Sequence, residues 1–349
     1  MNITHGLKKF ALTASIALLV APAFAQTTAT TDPVGYVTMT IAAGTGSTAN
    51  YSFDGLALTR TVAYQGAAET ATAATTSLVD NEATWTDNLY NGASSAITHY
   101  VEITSGTSAG TTYDIIATTA ATKTLTLAQP LASGVTAGAT FKIRQHWTIA
   151  SVFGAANEAG LTGGTSSTAD QILIHNGVGF DTYYYKTTGP NGVGWRSTAS
   201  TATDRSGQLI YPDDALVVKR TAATAVNVVI MGSVKMGQSS YPIATGNTFI
   251  ANPCAAPMTL ASCGIYTGDS ATGLLGGTSG TADKILLWNG TAYNTYYYKT
   301  TGPNGVGWRS TASTATDAST TQIPVGVASV IVRAGAAFNW VIPQHPASL

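Results

Sequence analysis

The sequence is short of charge. Of its 349 residues only 16 are Lys or Arg and 17 are Asp or Glu, which makes 9% charged, where an average soluble domain carries about a quarter. With no basic excess and no basic cluster, the chain lacks the means to neutralise a phosphate backbone, and nucleic acid is excluded as a partner. Five histidines and few carboxylates leave little material for acid–base catalysis. Cysteine is scarce as well. Cys254 and Cys263 stand close together in NPCAAPMTLASCG with no second Cys or His pair nearby, so a local disulfide worth about 2–3 kcal/mol is expected rather than a zinc site. Long apolar runs are missing beyond residue 20, which leaves no transmembrane segment in the expected mature chain. The final FNWVIPQHPASL shows neither an anchor tail nor a lipidation motif.

One apolar run is present, Phe10–Val20, preceded by Lys8 and Lys9 and followed by Ala21-Pro-Ala-Phe-Ala25. That order reads as a secretory signal peptide over residues 1–25, and the run is too short to cross a bilayer. The reading places the mature chain outside the cytoplasm: extracellular, on the cell surface or in the periplasm. Loss of Lys8 and Lys9 would leave it with a net charge of −3.

Gly, Pro, Asn and Thr interrupt the chain every few residues. Between them lie short runs rich in β-branched and aromatic residues, such as GYVTMTI, HYVEIT, TYDIIA, ALVVK and VNVVIM. This spacing predicts an all-β protein whose short antiparallel strands form sandwich- or barrel-like units. A brief helical turn is expected over Ala67–Ala74.

The sequence also repeats itself. TYYYKTTGPNGVGWRSTASTATD occurs at Thr182–Asp204 and at Thr295–Asp317, identical at all 23 positions. Leu161–Asp181 matches Leu274–Asn294 with drift, His175 being replaced by Trp288 and Phe180 by Tyr293. Upstream, Thr148-Ile-Ala-Ser151 answers Thr259-Leu-Ala-Ser262. An internal tandem repeat follows, giving an N-terminal β-domain over 26–147 and repeat units over 148–258 and 259–349. A recent duplication accounts for the perfect identity without any functional demand.

Within the repeated segment, Gly189-Pro-Asn-Gly192 has the composition of a type I turn with a glycine bulge, closing a β-hairpin. Alternation puts Tyr183 and Tyr185 on one face and Tyr184 with Lys186 on the other. Trp195 is expected opposite the Lys186/Thr187 region. The hairpin reads as a structural part with cross-strand aromatic pairs. It also reads as a ligand platform for sugar rings made of Tyr184, Trp195 and Arg196, with Tyr297, Trp308 and Arg309 in the second copy.

Three landmarks, DPVGYVTMTIAAG (Asp32–Gly44), HYVEITSGTSAGTTYDI (His99–Ile115) and FKIRQHWTIASVFG (Phe141–Gly154), resemble a paralogous family of exported bacterial proteins of unknown function. The resemblance implies export and carries no catalytic residues.

Other motifs test weakly for chemistry. Gly106-Thr-Ser108-Ala-Gly110 fits a nucleophile elbow, but strand-like TTYDIIATT follows where that motif needs a helix. The acidic stretches Asp80-Asn81-Glu82 and Asp87-Asn88 lack the calcium-loop spacing. Asp170/Asp283 and Asp204/Asp317 recur beside turns. The resulting expectation is a non-enzymatic β-repeat protein, structural or adhesive, of the cell surface or extracellular matrix. It would work without cofactor or metal and partner itself or surface glycans. Glycan binding by the hairpins is the alternative, and a secreted hydrolase stands behind that.

Overall fold

The structure is a computed structural model and describes residues 32–343; the expected signal peptide lies outside the described residues. In chain order the first strands are β1 (Val34–Ile41) and β2 (Asn50–Gly55). Seven follow: β3 (Val62–Ala67), β4 (Thr70–Ala71), β5 (Ser77–Val79), β6 (His99–Ile103), β7 (Thr112–Thr119), β8 (Thr124–Leu127) and β9 (Thr140–Gln145). Next come β10 (Trp147–Thr148), helix α1 (Ile149–Phe153), β11 (Gln171–His175), β12 (Phe180–Lys186) and β13 (Gly194–Ser197). They lead to β14 (Leu209–Ile210), β15 (Ala215–Arg220) and β16 (Val226–Ser233). The last part holds β17 (Ser239–Ile243), β18 (Gly246–Ala251), β19 (Met258–Thr259), β20 (Lys284–Trp288) and β21 (Tyr293–Lys299). It ends with β22 (Gly307–Ser310), β23 (Gln322–Ile323), β24 (Ala328–Arg333) and β25 (Phe338–Ile342). The protein is all-β, as its composition predicts. The expected helical turn at Ala67–Ala74 is instead the end of β3 and the two-residue β4.

Every named pairing is antiparallel. A five-stranded sheet has the order β13-β12-β11-β15-β2, and a second has β22-β21-β20-β24-β18. Each is faced by two ribbons: β1-β16 and β10-β14 in the first case, β17-β25 and β19-β23 in the second. Sheet and ribbons close over one core each. Ile172, Ile174, Leu216 and Val218 of the first sheet meet Met39, Ile41, Val228 and Ile230 of its ribbon. Ile285, Leu287 and Ile331 do the same against Tyr241, Trp340 and Ile342. β11 and β20 alternate between buried and half-buried positions along their length, as strands covered unequally on two faces must.

The third sheet, β3-β9-β6-β7-β8-β5-β4, has its own core around Val101, Ile103, Ile115, Leu125 and Phe141. It lies between β2 and β10 in the chain, so the expected N-terminal domain of 26–147 is divided. β1 and β2 belong by pairing to the first five-stranded unit, with Ile41 opposite Val226 and Asn50 opposite Arg220. Likewise β17 and β18, placed before residue 259, pair with β25 and β24. The chain enters the third sheet beside Leu58 and leaves at Trp147, whose indole Nε1 donates to the Leu58 carbonyl at 2.9 Å.

The two five-stranded sheets meet through matched contacts. Gly55 N–H donates to Gly326 O at 2.8 Å, and Ala251 N–H donates to Asp213 O at 3.1 Å. Isolated bridges join Asp54 to Val327 and Asp214 to Ile250. These contacts interchange corresponding positions of the two sheets, the pattern of an isologous interface within one chain. β15 is buried along almost its whole length because one face meets its own core and the other meets this interface.

Candidate functional site

The doubled hairpin pairs Tyr183 with Ser197, Tyr184 with Arg196, Tyr185 with Trp195 and Lys186 with Gly194, and the second copy repeats this register. Trp195 therefore stands opposite Tyr185, one residue from its expected place. In the loop, Asn191 and Asn304 each follow a proline and have φ of 68°. A left-handed residue at the third position marks a type II turn rather than type I.

Lys186 Nζ donates to Pro190 O, and Arg196 donates to Asn191 O and Trp195 O at 2.8 Å each and to Asp204 at 3.3 Å. Lys299 and Arg309 make the same bonds to Pro303, Asn304, Trp308 and Asp317. The cations thus hold the loop carbonyls of their own hairpin. This corrects the expected platform. Tyr184, Trp195, Arg196, Tyr297, Trp308 and Arg309 are all buried, and the guanidinium Nη atoms are engaged locally, so the six share no open face for a sugar, although an edge of Trp308 borders a groove.

The opposite face of the hairpin differs between the two copies. In the first, α1 is set by a capping box between Thr148 and Ser151 and drives Phe153 into the core, 6.0 Å from Trp195. Trp195 Nε1 donates to Gly154 O at 2.8 Å, which closes the site. In the second copy Ser262 N–H still bonds Thr259 Oγ1 at 3.1 Å, but no helix follows. Gly264 takes the place of Phe153 with φ of +72°, and a Cβ there would lie 2.8 Å from Val341 O, so only glycine fits.

The space left open is a groove of about 300 Å³ lined by Tyr266, Tyr298, Trp308, Asp317 and Ser319, with Ala261 at its rim. Tyr266 stacks on Tyr298 with centroids 3.5 Å apart and planes 13° apart, and Tyr298 meets Trp308 edge-on at 5.6 Å. Among the described residues the Trp308 indole N–H meets no acceptor, and Trp308 lines the groove. Asp317 is fixed by Arg309 at 3.2 Å and by the Ser319 hydroxyl at 2.5 Å.

A second surface lies on the β1-β16 ribbon. Tyr36 is paired with Met231, and Thr38 with Val229. Val34, Tyr36, Val229 and Met231 are exposed, Met231 by 75%. The outer edge of β1 has no strand partner among the described residues. In the corresponding ribbon the matching edge strand β17 is shorter and carries Pro242, which removes a ladder donor and blunts the edge.

The remaining sequence candidates are structural. Ser108 sits in the turn between β6 and β7, accepting through its carbonyl from Thr111 Oγ1 at 2.7 Å, so the elbow's helix is replaced by a strand. Cys254 and Cys263 are free and buried in the second core, with both thiols pushed up to about 11 by burial; this corrects the expected disulfide. Asp80 accepts from the Tyr64 hydroxyl at 2.7 Å, and Asp87 from Ala120 N at 2.7 Å. Asp170 and Asp283 are buried partners of Arg220 and Arg333. His175 is an interface ring against Phe249 and Phe180.

Two polar clusters have no local sequence signal because their members come from distant strands. Glu102 lies between Arg144 and Lys235. His146 Nε2 meets Asp114 at 2.9 Å, and the Tyr211 hydroxyl reaches the same carboxylate at 3.3 Å. Among the described residues, no three His, Cys, Asp or Glu side chains gather within metal-binding range, and no helix is long and apolar enough to cross a membrane. The chain matches no family model, no curated protein and no solved structure.

Proposed function

We propose that this is an exported, non-enzymatic structural or adhesive protein of a bacterial cell surface or extracellular matrix, which associates with copies of itself through β1. The observation that carries this reading is the β1-β16 ribbon, with its apolar outer face and open strand edge. An unpaired edge flanked by apolar side chains is a template for strand addition. The corresponding edge strand β17 is blunted by Pro242, and antiparallel pairing of β1 with β1 of a second copy uses the same edge on both chains, which makes a closed twofold pair rather than a fibre. The signal-peptide reading of residues 1–25 and the resemblance to exported bacterial proteins support the location.

Light scattering on the chain from Gln26 tests this. Concentration-dependent dimers are expected, lost on Val37→Pro and weakened by Tyr36→Lys. A monomer at every concentration, or dimers indifferent to both changes, would overturn the reading. A second reading, glycan binding, is favoured by the groove beside Trp308.

A further inference from the structure

The geometry points to the groove between Tyr266, Tyr298, Trp308 and Asp317 as a binding site for a neutral carbohydrate ring, present only in the second copy of the hairpin. This rests on the glycan reading and is independent of assembly through β1. A pyranose offers an apolar face of C–H groups and an edge of hydroxyls, and the groove supplies a counterpart for each. The stacked Tyr266–Tyr298 pair and the edge of Trp308 give an aromatic wall, which takes the apolar face at low entropic cost because the rings already brace one another. Along the rim Asp317 accepts hydrogen bonds, with its carboxylate oriented in advance by Arg309 and Ser319. Trp308, which lines the groove, provides through Nε1 a donor that no described residue uses.

The charge pattern narrows the ligand class. A carboxylate at the mouth repels phosphate, sulfate and uronate groups, while Arg309 offsets its attraction for cations. Hydroxyls remain as its best partners, and hydrogen bonds to a charged acceptor are stronger than neutral ones.

The first copy serves as an internal control. It holds the same hairpin, the same Arg196–Asp204 pair and the same Ser206 bond, yet Phe153 and Gly154 close over Trp195, and the open space beside Asp204 and Ser206 is lined by no aromatic ring. The identical segment is therefore a common part, and the groove is made by what lies outside it: Gly264 in place of Phe153 and the added ring of Tyr266.

The test is a glycan array of neutral and acidic oligosaccharides, followed by calorimetric titration of any neutral sugar retained. Tyr266→Ala and Asp317→Asn are each expected to weaken binding about tenfold or more, the loss of one stacking or one charged hydrogen-bond contact. Ala261→Arg, at an exposed position on the rim, should abolish it without touching the core. Asp204→Asn in the first copy should change nothing. Denaturation curves confirm that each variant folds. Wild-type binding that survives Ala261→Arg and Tyr266→Ala would overturn the groove while leaving the glycan reading intact. No binding to any neutral sugar would overturn both, as would a preference for acidic ones.

Discussion

The ring of Phe53 lies 4.9 Å from the indole of Trp288, across the interface between the two five-stranded sheets. The reciprocal contact is made by Phe249 against His175, at 4.7 Å. Phe53 and Phe249 occupy corresponding positions opposite Val217 and Val330. The drift from His175 to Trp288 and from Phe180 to Tyr293 is therefore the asymmetric part of a symmetric contact. A ring facing a different ring tolerates replacement so long as an aromatic face remains.

From this contact, Phe53→Ala and Phe249→Ala should each destabilise the protein by about 2–4 kcal/mol, since each deletes a half-buried ring from a packed aromatic cluster. Urea denaturation measures the effect. A change below about 0.5 kcal/mol, the range of an ordinary surface site, would mean that the sheets are held together by backbone contacts alone.

The same junction gives a pH dependence. Burial pushes the carboxyl of Asp54 up to about 7, and among the described residues its Oδ2 has no partner. Asp214 is also pushed up to about 7 by burial, opposed by the hydrogen bond from Tyr211 N–H. An acid whose folded pKa is raised holds its proton better in the folded state. Its contribution is fully present below about pH 4 and is lost as the pH rises through about 7. Asp54→Asn keeps the shape of the protonated acid and cannot ionise. Its stability relative to wild type should rise between pH 4 and pH 8, by at most about 4 kcal/mol. Denaturation at the two pH values checks this, and a constant difference would mean that Asp54 is solvated as a carboxylate.

Much of the strand content was legible because alternation and turn residues are local. The hairpin register was legible to within one residue. Long-range pairing was not: Ile41 meets Val226 and Asn50 meets Arg220, and nothing in either stretch names its partner. The insertion of β3–β9 was hidden for the same reason, since it parts two strands of one sheet without altering their composition. The groove was closer to view. The match of Thr148–Ser151 to Thr259–Ser262, carried two residues further, sets Phe153 against Gly264, a large ring against none. Alternation along the strand predicts Tyr184 and Tyr297 as the outward rings, whereas the tyrosine of that strand bordering the groove is Tyr298.

Cys254 and Cys263 show where an inference from spacing fails. Both are buried thiols in an apolar core, with Cys263 Sγ 3.3 Å from Leu260 O. Burial disfavours the thiolate that would react. Neither should be labelled by a thiol reagent in the native protein, both should be labelled after unfolding, and a reductant should leave the melting temperature unchanged. A melting point that falls on reduction would restore the disulfide.

Glu102 tests how the inserted sheet is tied to the rest. Its carboxylate receives Arg144 Nε at 3.0 Å and also meets Lys235 Nζ, while Arg144 Nη1 donates to Arg60 O at 2.9 Å. Glu102, Arg144 and Lys235 are all buried. Burial alone would raise the Glu102 carboxyl, but Lys235 and Arg144 outweigh it and hold it below its usual range. Its contribution is therefore present at neutral pH and lost only as the pH falls below the ordinary carboxylate range. Glu102→Ala leaves Lys235 buried without its partner and should cost about 3–5 kcal/mol at pH 7. Lys235→Met should cost less, because Glu102 keeps Arg144 and the methionine fills the apolar part of the lysine's space. The double variant should be less destabilised than the sum of the two, since each change removes the other's reason to be charged. Additive losses in denaturation would mean that the pair is solvated and that the sheet is held by its apolar contacts alone.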